Sequence, residues 1–443
     1  MRNQWITKNI FYLPYMRLRG GNICSLINEI RTLKNMSLND IYKFQWSKFI
    51  ALLSYAYNNI SFYRERFNEA DIKPDDIKCK EDLLKIPPLT KVDIRNHMPK
   101  LLNEHYRMQQ KSTSGSSGYP LVFYKDNISV AFWDAAMYEG FSWHGINIGD
   151  KQSRFWGVST HKKHQINEGL KDFYMNRIRL SAFQVDDESC LKFYKKLLEF
   201  KPVYFYGYPS AIYRFCNFLS KNNLHAPLDL KAAFVTGEML YDFQRLKIEE
   251  TLKCKAVNEY GCTENGVIAF QCPQRKMHIM ATNIYLEVVN NGKHADWFED
   301  GDFLITELNS HSIPFIRYKI LDRGSLSNEK CTCGINFPLI HNISGRTNDF
   351  IITSDDRHVY AAILSYALKN YVDQFSAFQE DRDKLTIMVK KIENISFDGN
   401  NIVRELRKYL GEKIKIEILE RDEIPTSKSG KQSYFTQKIM DII

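Results

Sequence analysis

The run Ser112-Thr113-Ser114-Gly115-Ser116-Ser117-Gly118-Tyr119-Pro120 holds the residues of this chain whose types speak most directly of chemistry. From Ser112 to Gly118, seven small or hydroxyl-bearing residues carry nothing to bury. Their backbone N–H groups and hydroxyls can converge on one point, with glycine supplying the dihedrals a tight cradle needs. Such a concavity suits phosphate oxygens. The Gly-Lys-Ser/Thr ending of a P-loop is missing, which excludes the P-loop NTPases. Taken alone, the run also has the composition of a flexible linker.

A second set is built of sulfur and imidazole. Cys272 and His278 precede the close pair Cys331-Thr332-Cys333-Gly334. Three thiolates and one imidazole make a full tetrahedral zinc set with no position left for water, so the site would be structural. Binding of that kind is worth roughly 10 kcal/mol at neutral pH. The alternative is four unrelated residues, with Cys-x-Cys in a tight turn. The chain has nine cysteines. An odd number without a signal peptide argues against a disulfide framework. Most of the others sit singly in apolar helical patterns and read as small core residues.

These residues need a frame. Ile41, Phe44, Phe49, Leu52, Leu53 and Tyr57 fall near helical spacing, and the first hundred residues read as largely helical. Pro87-Pro88 breaks the chain, and Thr90 is a natural N-cap for a helix from Lys91. Leu121–Tyr124 reads as a short buried strand, 127–144 as helix, and Phe155–Val158 as strand. Helices near 187–200, 210–221 and 241–252 then alternate with strands at Val203–Tyr206, Ala232–Val235 and Ala256-Val257. Such alternation predicts an α/β fold with a largely parallel sheet, its functional turns just beyond the strand ends. Those turns carry Gly207–Ser210, Thr236-Gly237-Glu238 and Tyr260–Glu264. From about 280 to 343 strands follow without helices, with Asn290-Asn291-Gly292 as a hairpin signal, and read as a β-subdomain. A boundary near Ser344 separates a large region, 1–343, from a small α+β domain, 344–443.

Five signatures occur in a fixed order: the Ser/Gly run, Tyr260-Gly261-Cys262-Thr263-Glu264, Arg317–Asp322, Gly345–Asp349 and Pro425–Lys431. Their order and spacing resemble the adenylate-forming superfamily of acyl–CoA synthetases and related ligases. Leu83–Arg95, Gly207–Ser210 and Cys331–Gly334 are similar to its phenylacetate–CoA ligase branch, which includes relatives associated with capsular polysaccharide synthesis. The zinc set is similar to one in that branch. The resemblance spans residues 80 to 435 or so.

The resemblance implies a two-step reaction: carboxylate plus ATP gives acyl-adenylate and pyrophosphate, and the acyl group then passes to the thiol of coenzyme A. Two anions must meet, so the site must supply positive charge and N–H donors. By the same resemblance, Ser112, Thr113, Ser114, Gly115, Ser116, Ser117 and Gly118 hold the β- and γ-phosphates. Thr263 donates to the α-phosphate and Glu264 holds magnesium. Tyr260 packs on adenine, Gly261 beside it belongs to the nucleotide-binding set, and Asp322 accepts both ribose hydroxyls. Gly237 and Glu238 belong to the nucleotide-binding set, and Arg346 contacts the nucleotide beside a hinge about which the 344–443 lid rotates. Lys431 bridges substrate carboxylate and α-phosphate, and its loss would cost on the order of 3 kcal/mol of transition-state stabilisation.

The chain departs from the pattern in three places. Tyr119 stands where the loop usually has lysine, with Lys125 as a candidate replacement. Asn348 stands for the hinge aspartate, beside Asp349. Ile320-Leu321 replaces Thr-Gly before Asp322. Tyr119 and Asn348 leave open a non-catalytic nucleotide-binding relative, and because no motif fixes the acceptor, adenylation followed by transfer to an amine or hydroxyl in surface-polysaccharide synthesis is a second alternative. Cys262 has no base near it in sequence and reads as a packing residue. The tract Thr160–His164 reads as an exposed loop. The acid pocket is expected near 140–145, 207–210 and 236–238, where Trp143, Tyr208 and Phe205 hint at an apolar or aryl acid.

Composition sets the remaining bounds. Over 443 residues, 44% apolar and 26% charged are ordinary globular values that suit two or three domains. The net charge of +9 is scattered, without the basic tracts of a nucleic-acid groove. No run approaches the roughly 18 to 20 apolar residues of a membrane span. Ile10–Met16, followed by Arg17 and Arg19, is too interrupted for a secretory segment. A cytoplasmic location is expected, with peripheral membrane contact by this basic, aromatic start as an alternative.

Overall fold

The computed structural model describes residues 3–19, 21–113, 121–157, 162–182, 185–226, 229–346, 350–355, 357–368, 370–392, 395–425 and 433–437. The helical start is present: α1 (Gln4–Ile6), a π-turn (Thr7–Tyr12), α2 (Leu13–Leu18), α3 (Ile23–Lys34), α4 (Leu38–Asn59), α5 (Ser61–Glu69) and α6 (Lys91–Leu101). In α4, Ile41, Phe49, Leu52, Leu53 and Ala56 form one buried stripe, and Ser37 caps its first turn through Asp40 N. Thr90 caps α6 reciprocally. Its hydroxyl accepts from Asp93 N at 3.1 Å, and the Asp93 carboxylate accepts from Thr90 N at 2.8 Å.

The Ser/Gly run connects β1 (Met108–Ser112) to β2 (Val122–Asp126), which pair antiparallel. Thr113 N donates to Leu121 O, and Leu121 N to the Thr113 hydroxyl, both at 3.0 Å. The two ends of the segment are thus bonded to each other. Ser114 to Pro120 lie outside the described residues.

Asp126 ends β2 and caps α7 (Asn127–Ser142) by accepting from Ser129 N at 2.8 Å. The alternating units follow: β3 (Gln152–Trp156), α8 (Lys162–Tyr174), β4 (Arg177–Ser181), α9 (Asp187–Phe200), β5 (Tyr204–Gly207), α10 (Pro209–Lys221), β6 (Ala232–Thr236), α11 (Asp242–Leu252) and β7 (Lys255–Cys262). Strands β3 to β7 pair parallel, and their side chains alternate between two cores. Tyr204, Tyr206, Phe234 and Val257 pack toward α3 and α7, and Phe155, Phe205, Val235 and Ala256 toward α9 and α10. Two elements differ from expectation. Helix α8 begins inside the tract read as a loop, and edge strand β4 was not foreseen. Alternating arginines at 177 and 179 hide that strand from an apolar count.

Antiparallel strands β8 (Gly266–Gln271), β9 (Met277–Ile279), β10 (Ile284–Asn290), β11 (Lys293–His294), β12 (Gly301–Glu307), β13 (Tyr318–Ser327) and β14 (Leu339–Arg346) come next. They extend the parallel sheet instead of forming one of their own, giving twelve strands in the order β11-β10-β12-β13-β14-β9-β8-β7-β6-β5-β3-β4. Beyond them lie a hairpin, β15 (Phe350–Ile352) and β16 (His358–Tyr360), then α12 (Ala362–Leu368), β17 (Val372–Asp381), β18 (Lys384–Lys391), α13 (Gly399–Leu410), β19 (Lys415–Glu420) and β20 (Phe435–Gln437). Strands β17 to β20 form a separate four-stranded sheet. Ile402, Leu406 and Leu410 of α13 pack on Phe375, Leu385 and Ile387 in its own core. Tyr434 touches the larger body, where its hydroxyl accepts from Gln244 Nε2 of α11 at 2.7 Å.

Lys125 is not available to replace a phosphate-facing lysine. Its side chain is fully buried, ion-paired with the equally buried Glu307, 3.1 Å from Ser310 Oγ and 3.9 Å from the Phe315 ring centroid. Removing one member of a buried pair strands the other charge. Lys125→Met is therefore expected to cost about 3 to 5 kcal/mol in urea unfolding, with Lys125→Met/Glu307→Leu recovering much of the loss.

Candidate active site

Strands β7 and β13 lie four steps apart in the sheet. A flat sheet would hold them roughly 19 Å from each other. Yet the Tyr260 hydroxyl on β7 donates to Asp322 Oδ2 on β13 at 2.7 Å. The antiparallel half must curl to bring them together, and irregular pairing supplies the bend. The register shifts at Tyr260/Gly261, Asp302/Leu304, Arg323/Gly324 and Ser325/Leu326, and bulges of this type increase local twist. Glycine is obligatory at two of these steps. A Cβ on Gly261 would lie 2.3 Å from Gly266 O, and one on Gly324 would lie 2.1 Å from Asn342 O.

The same curl orders Glu264. Its buried carboxylate accepts from the Tyr318 hydroxyl at 2.9 Å through Oε1, and Lys91 Nζ stands 3.5 Å from that oxygen. Burial, and then the neighbouring Glu264 charge, hold the Tyr318 phenol far above its ordinary range. Lys91 arrives because Leu89 N donates to Arg317 O and Lys319 N to Leu89 O, at 3.2 and 2.9 Å. Arg317 itself is fixed by Glu287 at 3.1 Å and by the carbonyl of Ile86. Sequence reasoning missed Lys91 and Tyr318 as site residues. Both lie within motifs it had marked, but only the curl shows what they touch. Thr263 is exposed at the turn beside Glu264. Burial pushes the Cys262 thiol well above its usual pKa, as suits a packing residue.

The turns after the parallel strands are tied to one another. Glu238, next to Gly237, accepts from Ser210 N at the start of α10 at 3.2 Å. Tyr208 stacks on Trp156 with centroids 4.5 Å apart. The Tyr206 hydroxyl donates to Glu259 at 3.0 Å, and burial pushes that carboxyl up to about 7. Two expected pocket aromatics lie elsewhere. Phe205 is in the core on the opposite sheet face, because strand side chains alternate. Trp143 donates to Glu139 at 3.1 Å and packs edge-on to His278 at 6.0 Å.

His278 belongs to the sulfur set, which the fold does assemble. Cys272, His278, Cys331 and Cys333 place their donor atoms within 4.8 Å of one another. Cys272 Sγ is 3.7 Å from Cys331 Sγ, and Cys333 Sγ is 3.3 Å from His278 Nε2. Two sulfurs on one tetrahedral zinc would be about 3.8 Å apart. His278 Nδ1 is 3.1 Å from the Phe337 carbonyl, an arrangement that gives Nδ1 the proton and leaves Nε2 as a donor atom.

No protein-family model matches the chain. Curated relatives do. Phenylacetate–coenzyme A ligases from Pseudomonas putida and Thermus thermophilus are each 24% identical over 73% of this chain, covering 73% and 74% of their own lengths. Among solved structures, 2-hydroxyisobutyryl-CoA ligase in its postadenylation state superposes with TM-score 0.75 over 91% of both chains, at 19% identity. Its fold is that of adenylate-forming ligases, and its sequence is similar to the phenylacetate–coenzyme A ligases among them. Against the thioesterification state of the same ligase the TM-score is 0.60, at 20% identity. ATP-bound MatB from Rhodopseudomonas palustris shares the fold at TM-score 0.52 over 74% of this chain and 66% of its own, at 13% identity.

The structure brings Tyr260, Gly261, Thr263, Glu264 and Asp322 together, and pairs Arg346 with Asp322 in the strand register. Ser112 and Thr113 form the foot of the hairpin. Lys431, Asn348 and Asp349 lie outside the described residues. The departure at Leu321 has a conformational cost. Its φ is +70°, a left-handed value natural to the glycine that superfamily members carry there. A leucine in that region costs roughly 1 to 2 kcal/mol. Leu321→Gly is expected to be neutral or stabilising by up to about 1 kcal/mol, while Leu326→Gly on the same strand loses about 1 kcal/mol or more. Thermal unfolding of the two variants checks the contrast.

Proposed function

We propose that this chain is an ATP-dependent acid–CoA ligase that forms an acyl-adenylate and passes the acyl group to the thiol of coenzyme A. The observation that carries the reading is the convergence of Tyr260, Glu264, Tyr318 and Asp322 on one side of the curled sheet. Asp322, positioned by Tyr260, is a carboxylate suited to vicinal ribose hydroxyls. Thr263 offers an exposed hydroxyl where the α-phosphate would lie, and the run Ser112 to Gly118 is assigned to the outer phosphates. Glu264 is an oxygen donor of the type that holds magnesium, which would neutralise charge on the triphosphate. Lys431 is assigned the role of steadying the attacking carboxylate. The docked Tyr434 that follows it supports this, because it ties that stretch of chain to α11 beside the Thr236–Glu238 turn. Coenzyme A is the acceptor in the named relatives.

The test is acid-dependent exchange of labelled pyrophosphate into ATP. Lys431→Ala should lower it by a factor on the order of 100 or more, the equivalent of about 3 kcal/mol. Exchange that ignores added acid, or survives this substitution, removes the reading.

The sulfur quartet is assigned to structural zinc, held by Cys272, His278, Cys331 and Cys333. Its donor set leaves no open position, so its contribution is folding energy rather than chemistry. Purified protein should carry about one zinc per chain. Cys331→Ser should lose the metal by elemental analysis and melt several degrees lower, and full retention of stability without zinc would contradict the assignment.

A further inference from the structure

On the face of the parallel strands that packs toward α7, close to the Trp156–Tyr208 stack, Arg154 is a cation with neither an ion pair nor a hydrogen bond among the described residues. Arg154 lies on β3, level with Tyr206 on β5. Tyr206 in turn holds Glu259, the residue before Tyr260. A polar line therefore runs across the parallel strands from Arg154 to the strand that carries the nucleotide signature. Helix α7 faces it with Asp134, whose carboxyl burial raises to about 6.

The neighbouring arginines are accounted for. Arg177 pairs with Asp172, and Arg179 with Asp172 and Glu168 at 2.7 Å. Arg154 has neither an ion pair nor a hydrogen bond among the described residues, and its Nε is shut off from solvent without a partner. Its guanidinium instead lies 4.8 Å from the Trp156 ring centroid and 5.2 Å from that of Tyr206. Burial and Arg177 draw its pKa down to about 10, which leaves it charged at neutral pH.

A half-buried guanidinium with an unbonded, buried Nε–H carries a cost, and an anionic ligand would offset it through two parallel hydrogen bonds. The stacked aromatic faces hold its planar fork in place for such a ligand. A plain alkyl or aryl acid would bury the same cation again without a partner.

We propose that Arg154 sets the acid specificity of this ligase, and that the acid carries a second carboxylate, held by Arg154 while the first is activated. This inference rests on the ligase reading above.

The experiment uses the full chain and matched pairs of acids: hexanoate with adipate, and phenylacetate with 4-carboxyphenylacetate. Pyrophosphate exchange gives kcat and KM, and thermal shift gives binding without turnover. Each diacid is expected to exceed its monoacid in kcat/KM by about 100-fold or more, because a site built to bond a polar group rejects analogues that lack it. Arg154→Met should collapse that ratio toward one, chiefly through the KM of the diacid, and Arg154→Lys should restore part of it. Monoacids preferred in the native protein, or an equal loss for both members of a pair in Arg154→Met, would overturn the assignment and make Arg154 a brace of the sheet edge. Absence of exchange with every acid would count against adenylation itself. Stabilisation by diacids alone, lost in Arg154→Met, would still uphold the subsite.

Discussion

Curvature of the antiparallel half of the sheet is the constraint from which the site follows. Tyr260 and Asp322 can share a hydrogen bond only because the strands between them bend. That bend rests on shifted registers and on glycines whose neighbours leave no room for a Cβ. Without it, the segment at 260–264 and the segment at 317–322 would be two polar turns on remote edges. With it, one carboxylate is aimed by a tyrosine, a second is aimed by another tyrosine and a lysine, and the two stand together. Placement on strands rather than on free loops gives these groups fixed directions, which catalysis requires more than it requires proximity.

Buried charge around that curve is handled consistently. Glu307 is matched by Lys125, Glu287 by Arg317, and Glu139 by Arg31 and Lys34 at 2.8 and 2.6 Å. Each pair joins elements distant in sequence: hairpin to sheet, segment to segment, α3 to α7. Such pairs add little net stability, but breaking one is expensive, so they discriminate against wrong arrangements of the same elements. Arg154 departs from this pattern, with no ion pair among the described residues.

Much of this arrangement was legible in the residues. Apolar runs between helical stretches marked the parallel units because both faces of those strands are buried, and the fixed order of small signatures marked the superfamily. Thr90 announced α6 because a cap is a local event. What could not be read is what depends on distant pairing. Strand β4 escaped because alternating arginines face acids on α8, a compensation invisible in either segment alone. Lys125 looked available because nothing near it in sequence reveals Glu307. Phe205 and Trp143 looked like pocket aromatics because composition does not say which face of a strand or helix points where. Continuity of the two halves of the sheet rests on the short β9, three residues whose pairing with β14 no local pattern encodes.

The sulfur quartet sits where that continuity is thinnest. Cys272 follows β8, His278 lies on β9, and Cys331 and Cys333 occupy the connection from β13 to β14. The cluster thus lies at the joint of the curl, on segments other than those that carry Tyr260 and Asp322. Oxidants that drew Cys272 and Cys331 into a disulfide would remove two of the four donors and slacken that joint. On the proposed assignments of nucleotide and zinc, ATP affinity would then fall after mild peroxide although no residue near Asp322 had reacted, and thiol reductant together with zinc would restore it.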